Sequence, residues 1–107
     1  MAKQSDASYK RVKIALTDSG DLVAAVTGRS IRVIALWGVL LGNQTVKLQS
    51  GASTDLTGAM SPAANGKIEM GFNQAGWVET AAGEKLNAVL GAATTFAGCL
   101  VYQEIKA

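Results

Sequence analysis

Apolar and polar residues alternate along most of this chain. Val12, Ile14 and Leu16 fall on one side of an extended segment, and Arg11 and Lys13 on the other. That is the period of a half-buried strand. Asp18-Ser19-Gly20-Asp21 marks a turn, Leu22 to Val26 a second short strand, and Thr27-Gly28-Arg29-Ser30 another turn. Ile31 to Leu41 is the longest apolar stretch, rich in β-branched residues and apolar on both faces. Strict alternation puts Ile31, Val33, Trp37, Val39 and Leu41 on one face, with Trp37 in the core. Arg32, Ile34, Leu36 and Leu40 lie on the other. Such a strand needs cover on both sides. Gly42-Asn43-Gln44 then turns the chain into Thr45 to Gln49, its expected hairpin partner, with Val46 and Leu48 inward.

Ser50 to Gly66 is rich in small and polar residues and carries the only proline, Pro62. It reads as a long connection with one extended piece near Leu56, closed by the two-residue turn Asn65-Gly66. Ile68, Met70 and Phe72 alternate with Glu69 and Gly71, and Asn73 to Gly76 turns again. Trp77 to Ala93 carries both periods: Val78, Ala82, Leu86, Val89 and Leu90 have helical spacing, while Leu86, Ala88 and Leu90 alternate. Gly83 interrupts the helical pattern. In the last segment, Thr94 to Ile105, Phe96, Gly98, Leu100 and Tyr102 alternate with Ala97, Cys99 and Val101. About seven or eight short strands at roughly 10-residue spacing predict an all-β fold. Spacing alone leaves a sandwich or a barrel open. Residues 1–8 lack periodicity and read as a flexible N-terminal arm; 9–107 read as one domain.

Composition narrows the function. Hydrophobic residues make up 49% and charged residues 17% of the 107, against about 25% charge in ordinary domains. The excess of apolar surface predicts an oligomer that hides part of itself. The absence of histidine removes histidine triads, metal sites and proton shuttles. A single cysteine, Cys99, allows neither an intrachain disulfide nor a cysteine zinc cluster, and its strand position reads as a small buried hydrophobe. The run Val33 to Leu41 is too short for a membrane helix, which needs about 20 residues, and the N-terminus lacks a secretory pattern. A net charge of +2 does not argue for nucleic acid.

Candidate chemistry is sparse. Asp18 and Asp21 flank a turn and are too few for a calcium loop. Glu79 and Glu84 could pair across a hairpin, but nothing around them suggests a cleft. The pieces Gly51-Ala52 and Gly91-Ala92-Ala93 lack the Lys-Ser/Thr of a phosphate loop. No catalytic residue, metal ligand or cofactor site is expected, and the chain is not read as an enzyme. Trp77 follows Gly76 at a turn and reads as a structural corner. Lys3, Lys10, Arg11 and Lys13 face a single opposing acid, Asp6, within the first 13 residues. Such a cluster suits docking on an acidic protein surface.

The later part of the chain resembles small virion proteins of tailed bacteriophages. The likeness rests on Ala64-Asn65-Gly66, then Phe72-Asn73-Gln74-Ala75-Gly76-Trp77, Thr80, Gly83, Leu86, Ala93, Gly98 and Tyr102. The upstream piece Gly28-Arg29-Ser30-Ile31-Arg32-Val33 fits the same pattern. It spans roughly Leu22 to Tyr102 and is one of spacing rather than of a single motif. Similar patterns occur in head-fibre and other surface modules of phage particles. The resemblance implies a compact antiparallel β-sandwich of jelly-roll kind, trimeric, that decorates a capsid as a cement protein, with a short arm on the shell and the major capsid protein as partner. It implies strands at Trp77 to Ala82 and Lys85 to Ala92, joined at Gly83-Glu84. It also implies assembly in the host cytoplasm and a final place on the outer capsid surface. On that reading Lys3, Lys10, Arg11 and Lys13 contact the shell, and Ile34, Leu36 and Leu40 form the trimer interface. With no coiled-coil or collagen-like pattern in these 107 residues, a cement role is expected over a fibre. The alternative is a carbohydrate- or receptor-binding module of a fibre or tail, with Trp77 and Tyr102 as stacking platforms.

Overall fold

The computed structural model describes residues 8–42, 44–61, 66–92 and 95–106. Among them there is no helix. The strands are β1 (Lys10–Leu16), β2 (Gly20–Val23), β3 (Arg29–Leu40), β4 (Val46–Ser50), β5 (Thr54–Asp55), β6 (Lys67–Met70), β7 (Val78–Glu79), β8 (Leu86–Leu90) and β9 (Phe96–Lys106). They form two antiparallel sheets. The first runs β1-β9-β3-β6, with β7 also pairing β3; the second runs β2-β8-β4-β5. The first and last strands are neighbours, and the chain crosses repeatedly between the sheets. This order makes the fold a jelly-roll sandwich.

The core lies between the sheets. Ile14, Ile31, Val33, Leu36, Leu40, Ile68, Phe96 and Leu100 from the first sheet meet Leu22, Val23, Val46, Leu48, Leu86, Ala88 and Leu90 from the second. Each fully buried aliphatic or aromatic side chain contributes about 1.5–3 kcal/mol. Phe96 is the largest fully buried side chain. It has room because Gly38 on β3 carries no Cβ beside it, and Gly98, opposite on β9, lets the two backbones lie close.

The expected alternation holds in β1 and β9. Ile14 is buried with Val12 and Leu16 packed beside it, and Phe96 and Leu100 are fully buried with Tyr102 against the core. The ambiguous segment is extended: β7 and β8 replace any helix, because each finds a sheet partner and tertiary pairing overrides local helix propensity. β7 and β8 lie in different sheets, so Gly83-Glu84 is a crossing rather than a hairpin turn.

Two expectations are corrected here. β4 is not the hairpin partner of β3; it crosses to the second sheet and pairs with β8 and β5. Trp37 is not core. A bulge between Val33 and Ala35 adds one residue to β3 and reverses its parity. Ile31 and Val33 face inward before the bulge, and Leu36, Gly38 and Leu40 face inward after it. Trp37 therefore emerges at 54% exposure, and Leu41 is exposed with it. Phe72 lies beyond the end of β6 at 63% exposure.

Candidate functional site

The outer face of the first sheet is built by the residues that alternate with the core set. Register fixes its rows. Lys13 opposes Cys99, Cys99 opposes Trp37, and Trp37 opposes Glu69. On one side runs the row Arg11, Val101, Ala35; on the other runs Ala15, Ala97, Val39, Lys67. The middle of this face is apolar, with cations along β1 and both a carboxylate, Glu69, and a cation, Lys67, on β6. Beside Trp37 lies a shallow depression of about 240 Å³ lined by Ala35, Cys99, Val101 and Glu69 among others. That is smaller than the roughly 300–1,000 Å³ of ordinary ligand pockets.

More aromatic surface continues past the strand ends. Tyr9, just before β1, meets Phe72 edge-to-face, with ring centroids 5.3 Å apart and planes at 73°. Asn73 and Trp77 donate their backbone N–H groups to the carbonyls of Ile34 and Val33, at 2.9 and 2.8 Å, so this loop is laced onto the bulged part of β3. The Trp77 indole N–H donates to the Gly71 carbonyl at 2.8 Å and closes the loop on itself, while the ring stays half-exposed. Gly76 permits the turn: its φ is 87°, and a Cβ there would run into the Arg32 side chain. Trp77 is thus a corner residue with an open ring face. Tyr102 packs against the core instead, and burial, with Glu104 nearby, holds its phenol above the ordinary value. The two aromatics do not form one platform.

The sequence-predicted contact residues divide. Lys3 lies outside the described residues. Lys10, Arg11 and Lys13 are exposed on β1, an edge strand of the first sheet. Among the described residues, ion pairs join Arg32 to Glu79, Lys47 to Asp55, Lys67 to Glu69 and Lys85 to Asp21. None of them neutralises the β1 cations. Ile34, Leu36 and Leu40 are 0%, 2% and 0% exposed within the single chain. Leu36 and Leu40 belong to the intrachain core, so these three do not form an open interface. The bulge is the reason: it turns their side of β3 inward and leaves Ala35, Trp37 and Val39 outside. Cys99 is likewise corrected, from buried to half-buried on this outer face.

The second sheet presents a different surface. Asp21, Asn87, Gln49 and Asp55 form a continuous cross-strand row. Asn87 donates to Gln49 Oε1 at 3.4 Å, and Gln49 donates to Asp55 Oδ1 at 2.8 Å. Lys85 and Lys47 close the two ends, at 2.9 and 3.2 Å. This face satisfies its own polar groups. Gln49 above all, and Lys47, hold the Asp55 carboxyl below its ordinary value.

The acids weighed as catalysts serve other bonds. Glu79 pairs with Arg32. Glu84 accepts from the Ser50 hydroxyl, which itself accepts from the Ala81 N–H at 2.9 Å. Among the described residues no group of His, Cys, Asp and Glu could hold a metal ion. No family model, curated protein or solved structure matches the chain.

Proposed function

We propose that this chain is a non-enzymatic structural protein of a tailed-phage virion, a trimeric decoration protein that binds the outer head surface and stabilises the shell. The observation that carries the reading is the outer face of the first sheet. It exposes Trp37 and a run of small apolar residues, bordered by β1 cations that no ion pair among the described residues neutralises. Exposed apolar patches rimmed by polar residues mark protein–protein contacts. The jelly roll occurs in capsid and lectin domains alike, so the fold by itself does not choose a function. The depression beside Trp37 is small for a ligand pocket, which favours a protein partner over a small molecule there.

Lys10 and Arg11 stand at the start of β1, where the chain enters the sandwich, and are suited to an acidic patch on the major capsid protein. Lys13 shares their strand, and Lys3 precedes them in sequence. A ligand that binds only the closed lattice stabilises it by mass action. Several copies joined together multiply weak contacts. Particles assembled without this chain are expected to release DNA at a lower temperature than complete ones, and added purified chain restores the difference. Binding weakens as salt screens the basic edge. Unchanged heat resistance of particles lacking the chain, or failure of the chain to sediment with heads, overturns the reading.

A further inference from the structure

We infer that copies of this chain associate through the outer face of the first sheet, around an axis that runs along its strands, with Lys13 of one copy against Glu69 of the next. The row Lys13, Cys99, Trp37, Glu69 carries the inference. It has a cation at one end, an apolar middle and an anion at the other. Three strand spacings of about 4.8 Å separate its ends, roughly 14 Å.

Charge order selects the axis. Rotation about an axis along the strands brings Lys13 of one copy against Glu69 of the next, cation against anion, while Lys67 on the same border meets Ala15. Rotation about an axis across the strands stacks Lys13 on Lys13 and Glu69 on Glu69, which is repulsive. Edge-to-edge pairing of two β1 strands is disfavoured too, because it gathers Lys10, Arg11 and Lys13 of both copies. Glu69 is free to take such a partner. Its present contact, Lys67 at 3.6 Å, joins two side chains that are each 64% exposed, and such pairs contribute little.

The apolar middle supplies the attraction. Trp37 protrudes among the small residues Ala35, Ala97 and Cys99, and a neighbouring copy removes its indole from water. Buried tryptophans at the centre of a contact dominate binding energy. The second sheet offers no rival, since its charged row is already paired internally. The inference rests on the reading above only for the number of copies; the face and the pairing stand on the row itself.

The test is the solution mass of the native chain, compared with W37E, K13E, E69K and the double variant K13E/E69K. All four change exposed side chains, and circular dichroism checks that each is folded. The native chain is expected at a multiple of its 11.0 kDa mass at tens of micromolar. W37E is expected at the single-chain mass. K13E and E69K each weaken association by about tenfold or more, and K13E/E69K recovers it. A monomeric native chain overturns the inference. Association that survives W37E overturns the face. Association indifferent to K13E, or not restored in the double variant, overturns the pairing. These outcomes are independent of head binding: an oligomer that never decorates a particle sinks the proposed function and leaves this interface standing.

Discussion

Replacing Gly38 with alanine drives a methyl group into the Phe96 ring. A Cβ at Gly38 would lie 3.0 Å from Cζ and 3.1 Å from Cδ1 of Phe96, and closer still to Cε1. Relaxed carbon–carbon contacts are at about 3.5–4.0 Å. The ring has nowhere to go, since Phe96 is fully buried. The strands cannot separate easily either: Gly98 faces Gly38 across the β3–β9 ladder, and a Cβ on Gly98 would lie 2.6 Å from the Gly38 Cα. Overpacking of this kind costs about 1–3 kcal/mol. The lower unfolded-state entropy of alanine offsets about 0.5–1 kcal/mol. G38A is therefore expected to be less stable by about 1–2 kcal/mol, with roughly 4–8 °C of Tm per kcal/mol. Urea unfolding at one fixed protein concentration measures it, because the proposed self-association would make the midpoint concentration-dependent. Phe96→Leu removes the clashing ring edge, so the double variant G38A/F96L should cost less than the two single changes together, by about 0.5 kcal/mol or more. A G38A chain as stable as the native one, or strictly additive costs, refutes the packing argument.

Thr80→Val should destabilise by about 1–3 kcal/mol, because the buried Ile31 N–H donates to Thr80 Oγ1 at 2.9 Å and would lose its acceptor; an unchanged urea midpoint contradicts this. Ser50→Ala removes the hydroxyl that accepts from Ala81 and donates to Glu84. It should cost about 1–2 kcal/mol and speed amide exchange at Ala81, and an unaltered exchange rate would count against the lock. Asp55 titrates below its ordinary value of 3.8, held there first by Gln49 and then by Lys47. A depressed carboxylate stabilises above its unfolded pKa and loses that contribution as pH falls through its folded pKa. The native chain is thus expected to exceed Asp55→Asn in stability at neutral pH, with the gap closing below about pH 4; a gap independent of pH contradicts the assignment.

The strands were legible because their period is local. Val12 between Arg11 and Lys13 states which side faces inward without knowledge of any partner. Pairing across the sandwich is not local, and so β4 could not be assigned to the second sheet from Val46 and Leu48. The bulge at Ile34 was hidden for another reason. One extra residue leaves an apolar run looking continuous, yet it exchanges the faces of everything after it. That exchange moved Trp37 outward and took Leu36 and Leu40 into the core. Of the candidate site, the basic positions on β1 could be read from charge alone. Cys99 and Glu69 join the same row only through register, and no spacing in the chain marks them.

The most direct test of the account is an image of the particle at a resolution that separates β-strands. The account predicts density for this sandwich on the outside of the head. The first sheet, with Trp37 and Cys99, should face the local symmetry axis, and the start of β1, with Lys10 and Arg11, should lie at the shell. Sandwiches placed on the tail, or on the head with Trp37 facing open solvent, would contradict it.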